Sequence, residues 1–271
     1  MKLPNYVEVE TSRYCNRMCE WCPNGLLKNR KQRDLLAWRL FEKVLVDLAS
    51  HNYSGWLAFH NYNEPLANPR IISELIYANE VLPRAKKAIY TNGDKLSSAL
   101  YSDLLNAEVG QIRVTLYPNE GEEQSANEER LYKWLERKKF LATRTWELAT
   151  VRQGLGLISR GKVEMIIISP NIDGYYDRGG VIPWLSTKAR EARCFLTSNS
   201  LSVDYLGDIK MCCNVVTGQQ GHGQYVLGNV KDLDLIEVWN SPRFEEYRRL
   251  HLQANWSATP ICITCKQQLK L

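Results

Sequence analysis

No stretch of this chain approaches the roughly 20 consecutive apolar residues of a membrane span. Met1-Lys2-Leu3-Pro4 runs straight into a strand pattern, with no signal-peptide core. Both absences point to a cytoplasmic protein. Internal repeats and low-complexity linkers are missing as well. Charge of one sign is scarce: the formal net charge of +5 is too small to argue for nucleic acid, and the one concentrated basic run, KNRKQR at 28–33, reads as a solvated loop. What remains is 271 residues with 44% hydrophobic content, enough to bury the core of one large domain, or of one large and one small. Eight cysteines without a signal sequence suggest reduced thiols in ligand or catalytic roles, not a disulfide framework.

Three of those thiols fall within eight residues, Cys15, Cys19 and Cys22, directly after the first plausible strand at 7–10. Their C-x3-C-x2-C spacing has no fourth Cys or His close behind it, whereas a closed tetrahedral zinc site needs four ligands. The local peptide therefore predicts a metal site with one position open. An incomplete zinc site and unrelated buried thiols are the alternatives.

Downstream, apolar residues recur at helical spacing over 35–49, 71–78 and 97–106, and short buried strands follow at 56–59, 88–90 and 112–116. Strands alternating with helices predict a parallel sheet with crossover helices. An amphipathic helix is expected at 127–139, then a loop and a further helix over 140–160, then a strong strand at 163–168. Beyond Ser169 the texture shifts to Pro, Gly and turn residues, and five cysteines remain: Cys194, Cys212, Cys213, Cys262 and Cys265. This predicts a division into 1–169 and 170–271, the second part holding a hairpin at 200–212 and helices at 235–239 and 242–252. Four thiolates suit zinc and an iron–sulfur cluster alike. Successive strand residues point to opposite faces, so Cys212 and Cys213 are not expected in one ligand set.

The cysteine loop, with Trp21 just before Cys22, resembles the signature of the radical S-adenosylmethionine (SAM) superfamily. The resemblance implies a [4Fe-4S] cluster on Cys15, Cys19 and Cys22, its fourth iron left for SAM, and an α/β fold: a partial (β/α)6 TIM-type barrel with a small C-terminal hairpin and helix module. HNYNEP at 60–65 is similar to the superfamily's Gly-Gly-Glu-Pro motif, with Tyr62-Asn63 where glycines usually stand; this implies SAM contacts from Glu64 and, through its backbone, Asn63. TNG at 91–93 is similar to the turn that lines the SAM pocket through Thr91 and Asn92, an ordinary strand-to-helix turn being the alternative. Thr115 and Tyr117, ending the fourth strand, are expected to reach ribose or substrate.

The C-terminal cysteines, with LGNV at 227–230 and VWN at 238–240, resemble the SPASM/Twitch auxiliary-cluster region. That implies a second [4Fe-4S] on Cys194, Cys212, Cys262 and Cys265, with Cys213 spare. Within the superfamily the chain is similar to the aminocyclitol dehydrogenases of antibiotic biosynthesis, through EVE at 8–10, CPN at 22–24, YTNGD at 90–94 and RGG at 178–180. The implied activity is oxidation of a secondary alcohol on a small sugar-like or aminocyclitol substrate, with Arg178 at the substrate, the auxiliary cluster as electron acceptor and a flavodoxin or ferredoxin as low-potential donor. A radical epimerase with Cys213 as hydrogen donor is the alternative. A peptide-modifying enzyme is disfavoured, because a strand starting at Val7 leaves no room before it for a leader-recognition domain. Outside radical chemistry stands a zinc-stapled binding protein.

Overall fold

The computed structural model describes residues 1–26, 32–119, 121–152, 154–172, 175–185 and 189–265; most of the basic run at 28–33 lies outside them. In chain order the strands are β1 (Tyr6–Val9), β2 (Trp56–Ala58), β3 (Lys86–Thr91), β4 (Gln111–Thr115), β5 (Glu147–Val151), β6 (Gly154–Ser159), β7 (Glu164–Pro170), β8 (Ser200–Val203), β9 (Asp208–Lys210) and β10 (Val226–Asn229). The helices are α1 (Pro23–Leu26), α2 (Trp38–Ser50), α3 (Ile71–Val81), α4 (Ser98–Asn106), α5 (Glu128–Arg137), α6 (Leu196–Asn199), α7 (Leu235–Trp239) and α8 (Pro242–Leu252). These strands join one sheet in the order β10-β9-β8-β1-β2-β3-β4-β7-β6-β5. Its centre, β8 through β7, is parallel throughout, and antiparallel pairs extend both edges.

Period-two alternation gives this sheet two unlike faces. Val7 and Val9 of β1, Ile112 and Val114 of β4, and Leu201 and Val203 of β8 are buried in the main core, where α2 adds Phe41, Val44, Leu45 and Leu48 at i, i+3, i+4 and i+7. Tyr6, Glu8, Arg113, Thr115 and Ser200, from the intervening positions, line a cavity on the other face. The helices therefore cover an apolar outer surface, and the inner surface is polar. Side-chain caps fix several helix starts: Ser97 Oγ accepts from Leu100 N at 3.1 Å, and Asn127 Oδ1 from Arg130 N at 3.2 Å.

The partial (β/α)6 arrangement is present, but its sixth parallel strand, β8, comes from beyond residue 170. β8 pairs with β1 from Tyr6↔Ser200 to Val9↔Val203, so the sheet runs without a break from one part of the chain into the other. In place of the helix expected within 140–160, the described residues of that segment form the antiparallel hairpin β5–β6, laid on β7. Here pairing across the sheet overrides a weak local pattern. β5 is largely exposed, and Gly154 sits at φ 149°, where an added Cβ would come within 2.3 Å of the Ser169 carbonyl.

Candidate active site

Residues 10–22 leave the C-terminal end of β1 and turn back over the cavity. Cys22 N donates to Cys19 O at 3.1 Å and Gly25 N to Cys22 O at 2.9 Å, so α1 starts directly on the last thiol. Position 25 has to be glycine, because a Cβ there would lie 2.4 Å from the Cys19 carbonyl.

Two further motifs clamp this loop. Arg17 makes a bidentate pair with Asp94, Nη2 to Oδ1 at 2.6 Å and Nε to Oδ2 at 2.8 Å, and Asn92 Nδ2 donates to Asn16 Oδ1 at 2.9 Å. Glu64 N donates to Tyr14 O at 2.9 Å. Glu64, 2% exposed, accepts from Thr91 Oγ1 at 2.5 Å, Asn92 N at 2.8 Å and Leu66 N at 3.0 Å. Burial nevertheless pushes its carboxyl up to about 7, so a cation beside it would be needed to hold the charge. Asn63 spends its side chain on the turn itself, accepting from Asn61 N and donating to Ser12 Oγ and Phe59 O.

These groups face a cavity of about 440 Å³. Cys15, Cys19, Cys22, Trp21, Asn63, Glu64, Thr91, Asn92, Thr115, Tyr117, Arg178 and Cys213 all line it. Trp21 and Tyr117 pack with ring centroids 5.9 Å apart, forming an aromatic wall beside the thiols. Burial raises the Cys15 and Cys19 thiols to about 12, the opposite of what a thiolate ligand needs; a bound cation inverts that balance.

The far side of the cavity holds residues the sequence reading missed. Glu8 of β1 is raised to about 7 by burial, against the pull of Lys210 and of Ser202, whose Oγ donates to Glu8 Oε2 at 3.3 Å. His60 stacks on Tyr90 at 4.2 Å, and burial beside Arg113 lowers it to about 3, so it is neutral next to Glu8. Arg152, just beyond the end of β5, reaches the same cavity. The signal for Glu8 is present in the sequence: charged residues alternating with Val7 and Val9 require a polar inner face. Arg178 sits on a turn of three successive left-handed residues, φ 55° at Arg178, 72° at Gly179 and 89° at Gly180. For a non-glycine residue this conformation costs about 1 kcal/mol or more. Asp177 holds the turn, accepting from Gly179 N at 3.1 Å and from Thr264 Oγ1, between Cys262 and Cys265. The guanidinium donates to Tyr176 Oη at 2.7 Å, and its buried Nε has no partner among the described residues.

The second thiol set lies behind that turn. Cys194, Cys212 and Cys262 share a buried apolar cluster with Met211, Val215, Tyr225 and Tyr247, and Cys265 is buried at 6% exposure. Cys212 is raised by burial first and then by the negative charge of Cys213, Cys262, Cys265 and Cys194, which brings all four predicted ligands into one neighbourhood. Cys213 also touches this cluster, but it alone of the five reaches the cavity. Among the described residues no group of three His, Cys, Asp or Glu is gathered for a single metal ion. An iron–sulfur cluster asks for a wider set, each thiolate on its own iron.

Residues 194–266 match the SPASM family, an iron–sulfur cluster-binding domain. The fold is of the type found in radical SAM enzymes, and the SPASM match lies in its C-terminal part, which holds Cys194, Cys212, Cys213, Cys262 and Cys265. Among known proteins, the chain is 23% identical over 265 residues to the S-adenosyl-L-methionine-dependent 2-deoxy-scyllo-inosamine dehydrogenase of Niallia circulans, spanning 97% of this chain and 93% of that one. The crystal structure of BtrN in complex with AdoMet and 2-DOIA superposes with a TM-score of 0.73 at 23% identity, over 98% of this chain and 94% of that one. Native anSMEcpe with bound AdoMet gives 0.56 at 12% identity, over 95% of this chain and 88% of that one. No helix among the described residues is long and apolar enough to cross a membrane.

Proposed function

We propose that this chain is a radical SAM dehydrogenase that oxidises a secondary alcohol of a small sugar-like or aminocyclitol substrate. Cys15, Cys19 and Cys22 would hold a [4Fe-4S] cluster, and Glu64, Asn63, Thr91, Asn92, Trp21, Thr115 and Tyr117, which line the same cavity, would contact SAM. Cys194, Cys212, Cys262 and Cys265 hold the auxiliary [4Fe-4S]. In this division 1–169 supplies the radical site and 170–271 the auxiliary module, β8 excepted. When bound, these groups supply a carbon radical able to take hydrogen from a C–H bond, and an acceptor for the electron left behind.

The chain's own residues do the rest. Arg178 aims a guanidinium into the cavity, where it favours the deprotonated form of a substrate hydroxyl. Glu8, in the same cavity and raised to about 7, receives the hydroxyl proton. The half-buried aromatic surround of Tyr6, His60 and Tyr90 limits the access of water to a reactive intermediate. The observation that carries this reading is the meeting of three loop thiols, the buried Glu64 and Arg178 on one cavity, with a second thiol set directly behind the Arg178 turn. The dehydrogenase relative supports alcohol oxidation as the outcome. A flavodoxin or ferredoxin supplies the low-potential electrons, and a cytoplasmic setting suits eight free cysteines.

Cys213 at the cavity supports a second reading, a radical epimerase in which its thiol returns hydrogen from the opposite face. Anaerobic incubation with SAM and candidate aminocyclitols or sugars, followed by mass spectrometry, separates the two. Dehydrogenation gives a product about 2 Da lighter; epimerisation leaves the mass unchanged in ordinary water and adds solvent deuterium in D2O. Neither product, or an iron-free and zinc-replete protein, would contradict the radical reading.

A further inference from the structure

One buried side chain spans the gap between the cavity and the auxiliary thiols. Asn214, 2% exposed, accepts from Arg178 Nη1 through Oδ1 at 3.2 Å and donates from Nδ2 to Cys265 Sγ at 3.4 Å. The chemistry fixes the orientation of this amide. A guanidinium only donates and a thiolate only accepts, so the oxygen must face Arg178 and the nitrogen must face the sulfur. Asn214 is held in place by the backbone around it, for it follows Cys212-Cys213 in a turn closed by Val215 N donating to Cys212 O at 3.1 Å. The other partner of the Arg178 guanidinium, Tyr176, lies on the cavity, so the bond to Asn214 is the one that runs toward the cysteines.

We propose that Asn214 is a positioning residue that couples the substrate cavity to the auxiliary cysteine site. Its carbonyl aims the Arg178 guanidinium, and its N–H hydrogen-bonds the Cys265 sulfur. This rests on the reading that Cys265 ligates an iron–sulfur cluster. Two consequences follow from the same amide. A hydrogen bond to a ligating sulfur draws electron density from it and raises the reduction potential of its cluster, so Asn214 makes the auxiliary cluster a better acceptor. Arg178 sits on a strained left-handed turn; the Asn214 carbonyl and Tyr176 are what keep its remaining N–H groups directed at the substrate.

The test is an anaerobic redox titration, followed by electron paramagnetic resonance, of the reconstituted full chain as wild type, Asn214→Leu and Asn214→Asp. The leucine removes both bonds. The aspartate keeps an acceptor for Arg178 but has no N–H for the sulfur. In both variants the auxiliary midpoint is expected to fall by about tenfold in the one-electron equilibrium, which is about 59 mV, with the signal of the other cluster unmoved. Substrate KM is expected to rise in Asn214→Leu and to stay near wild type in Asn214→Asp. Should Asn214→Leu fail to take up iron at the auxiliary site, the aspartate variant carries the same test. Two cluster signals with an unchanged auxiliary midpoint in Asn214→Asp would overturn the coupling alone. A wild-type protein with no second cluster signal would overturn the functional reading together with it.

Discussion

Cys15, Cys19 and Cys22 stand part-exposed on a loop that opens into a cavity of about 440 Å³, whereas Cys194, Cys212, Cys262 and Cys265 are 6–8% exposed, the first three packed among Met, Val and Tyr side chains. Three thiols of the loop stand at the open site and the four predicted auxiliary ligands at the closed one, with Cys213 touching both. A three-thiol site beside a buried acceptor such as Glu64 is suited to an exchangeable ligand with a cationic end. A four-thiol site in an apolar chamber has no position to offer a substrate and is suited to passing electrons. In the proposed function this difference gives SAM binding and radical formation to the open region and electron transfer to the closed one, with Arg178 and Asn214 between them.

The sharpest way to break this comparison is to remove one thiol from each side. Cys19→Ala is expected to abolish SAM cleavage while leaving the auxiliary iron in place. Cys262→Ala is expected to leave SAM cleavage measurable as 5′-deoxyadenosine while ketone formation is lost. Equal loss of cleavage in both variants would erase the distinction. Next in size is Glu8→Gln, expected to lower kcat by about 100-fold as a general base is lost. Glu8 must be ionised to accept a proton, and its carboxyl is lifted from 4.5 to about 7 by burial. The wild-type rate is therefore expected to rise with pH up to about 7 and then level off, and the variant's profile to lack that limb.

Glu64→Gln comes third. It keeps the shape but removes the charge and turns an NH2 toward a backbone N–H, because Oε1 accepts from Leu66 N and Thr91 Oγ1 and Oε2 from Asn92 N; SAM binding measured by equilibrium dialysis is expected to weaken about 10- to 100-fold. The smallest effect is expected from Cys213→Ala: dehydrogenation within about twofold of wild type, since the side chain is a small buried apolar group in that reading. Loss of an inverted product, with SAM cleavage retained, would instead identify Cys213 as the hydrogen donor.

How much of this was legible in the sequence depended on distance along the chain. The thiol loop, the Glu64-Pro65 pair and the Thr91-Asn92-Gly93 turn each announce themselves within a few residues, because each sits where a strand ends and the chain must turn. Local periodicity also exposes α2, α3, α5 and α8. The pairing of β8 with β1, distant in sequence, leaves no local trace, and it is this pairing that carries the second cysteine set to the edge of the cavity. The segment 140–160 reads as a loop and a further helix from its sequence because the exposed strand β5 lacks a buried stripe; the hairpin's identity comes from the partner β7. Asn214 illustrates the limit most clearly. Its position beside two cysteines suggests nothing, and its meaning lies in contacts 36 and 51 residues away.

The division of labour between an open and a closed cysteine site is tested most directly by adding SAM to the reduced, fully loaded protein and recording its electron paramagnetic resonance spectrum. Two cluster signals are expected, of which SAM changes one and leaves the other as it was; the changed signal should be missing from Cys19→Ala and retained in Cys262→Ala. A spectrum in which SAM moves both signals, or neither, would contradict that division.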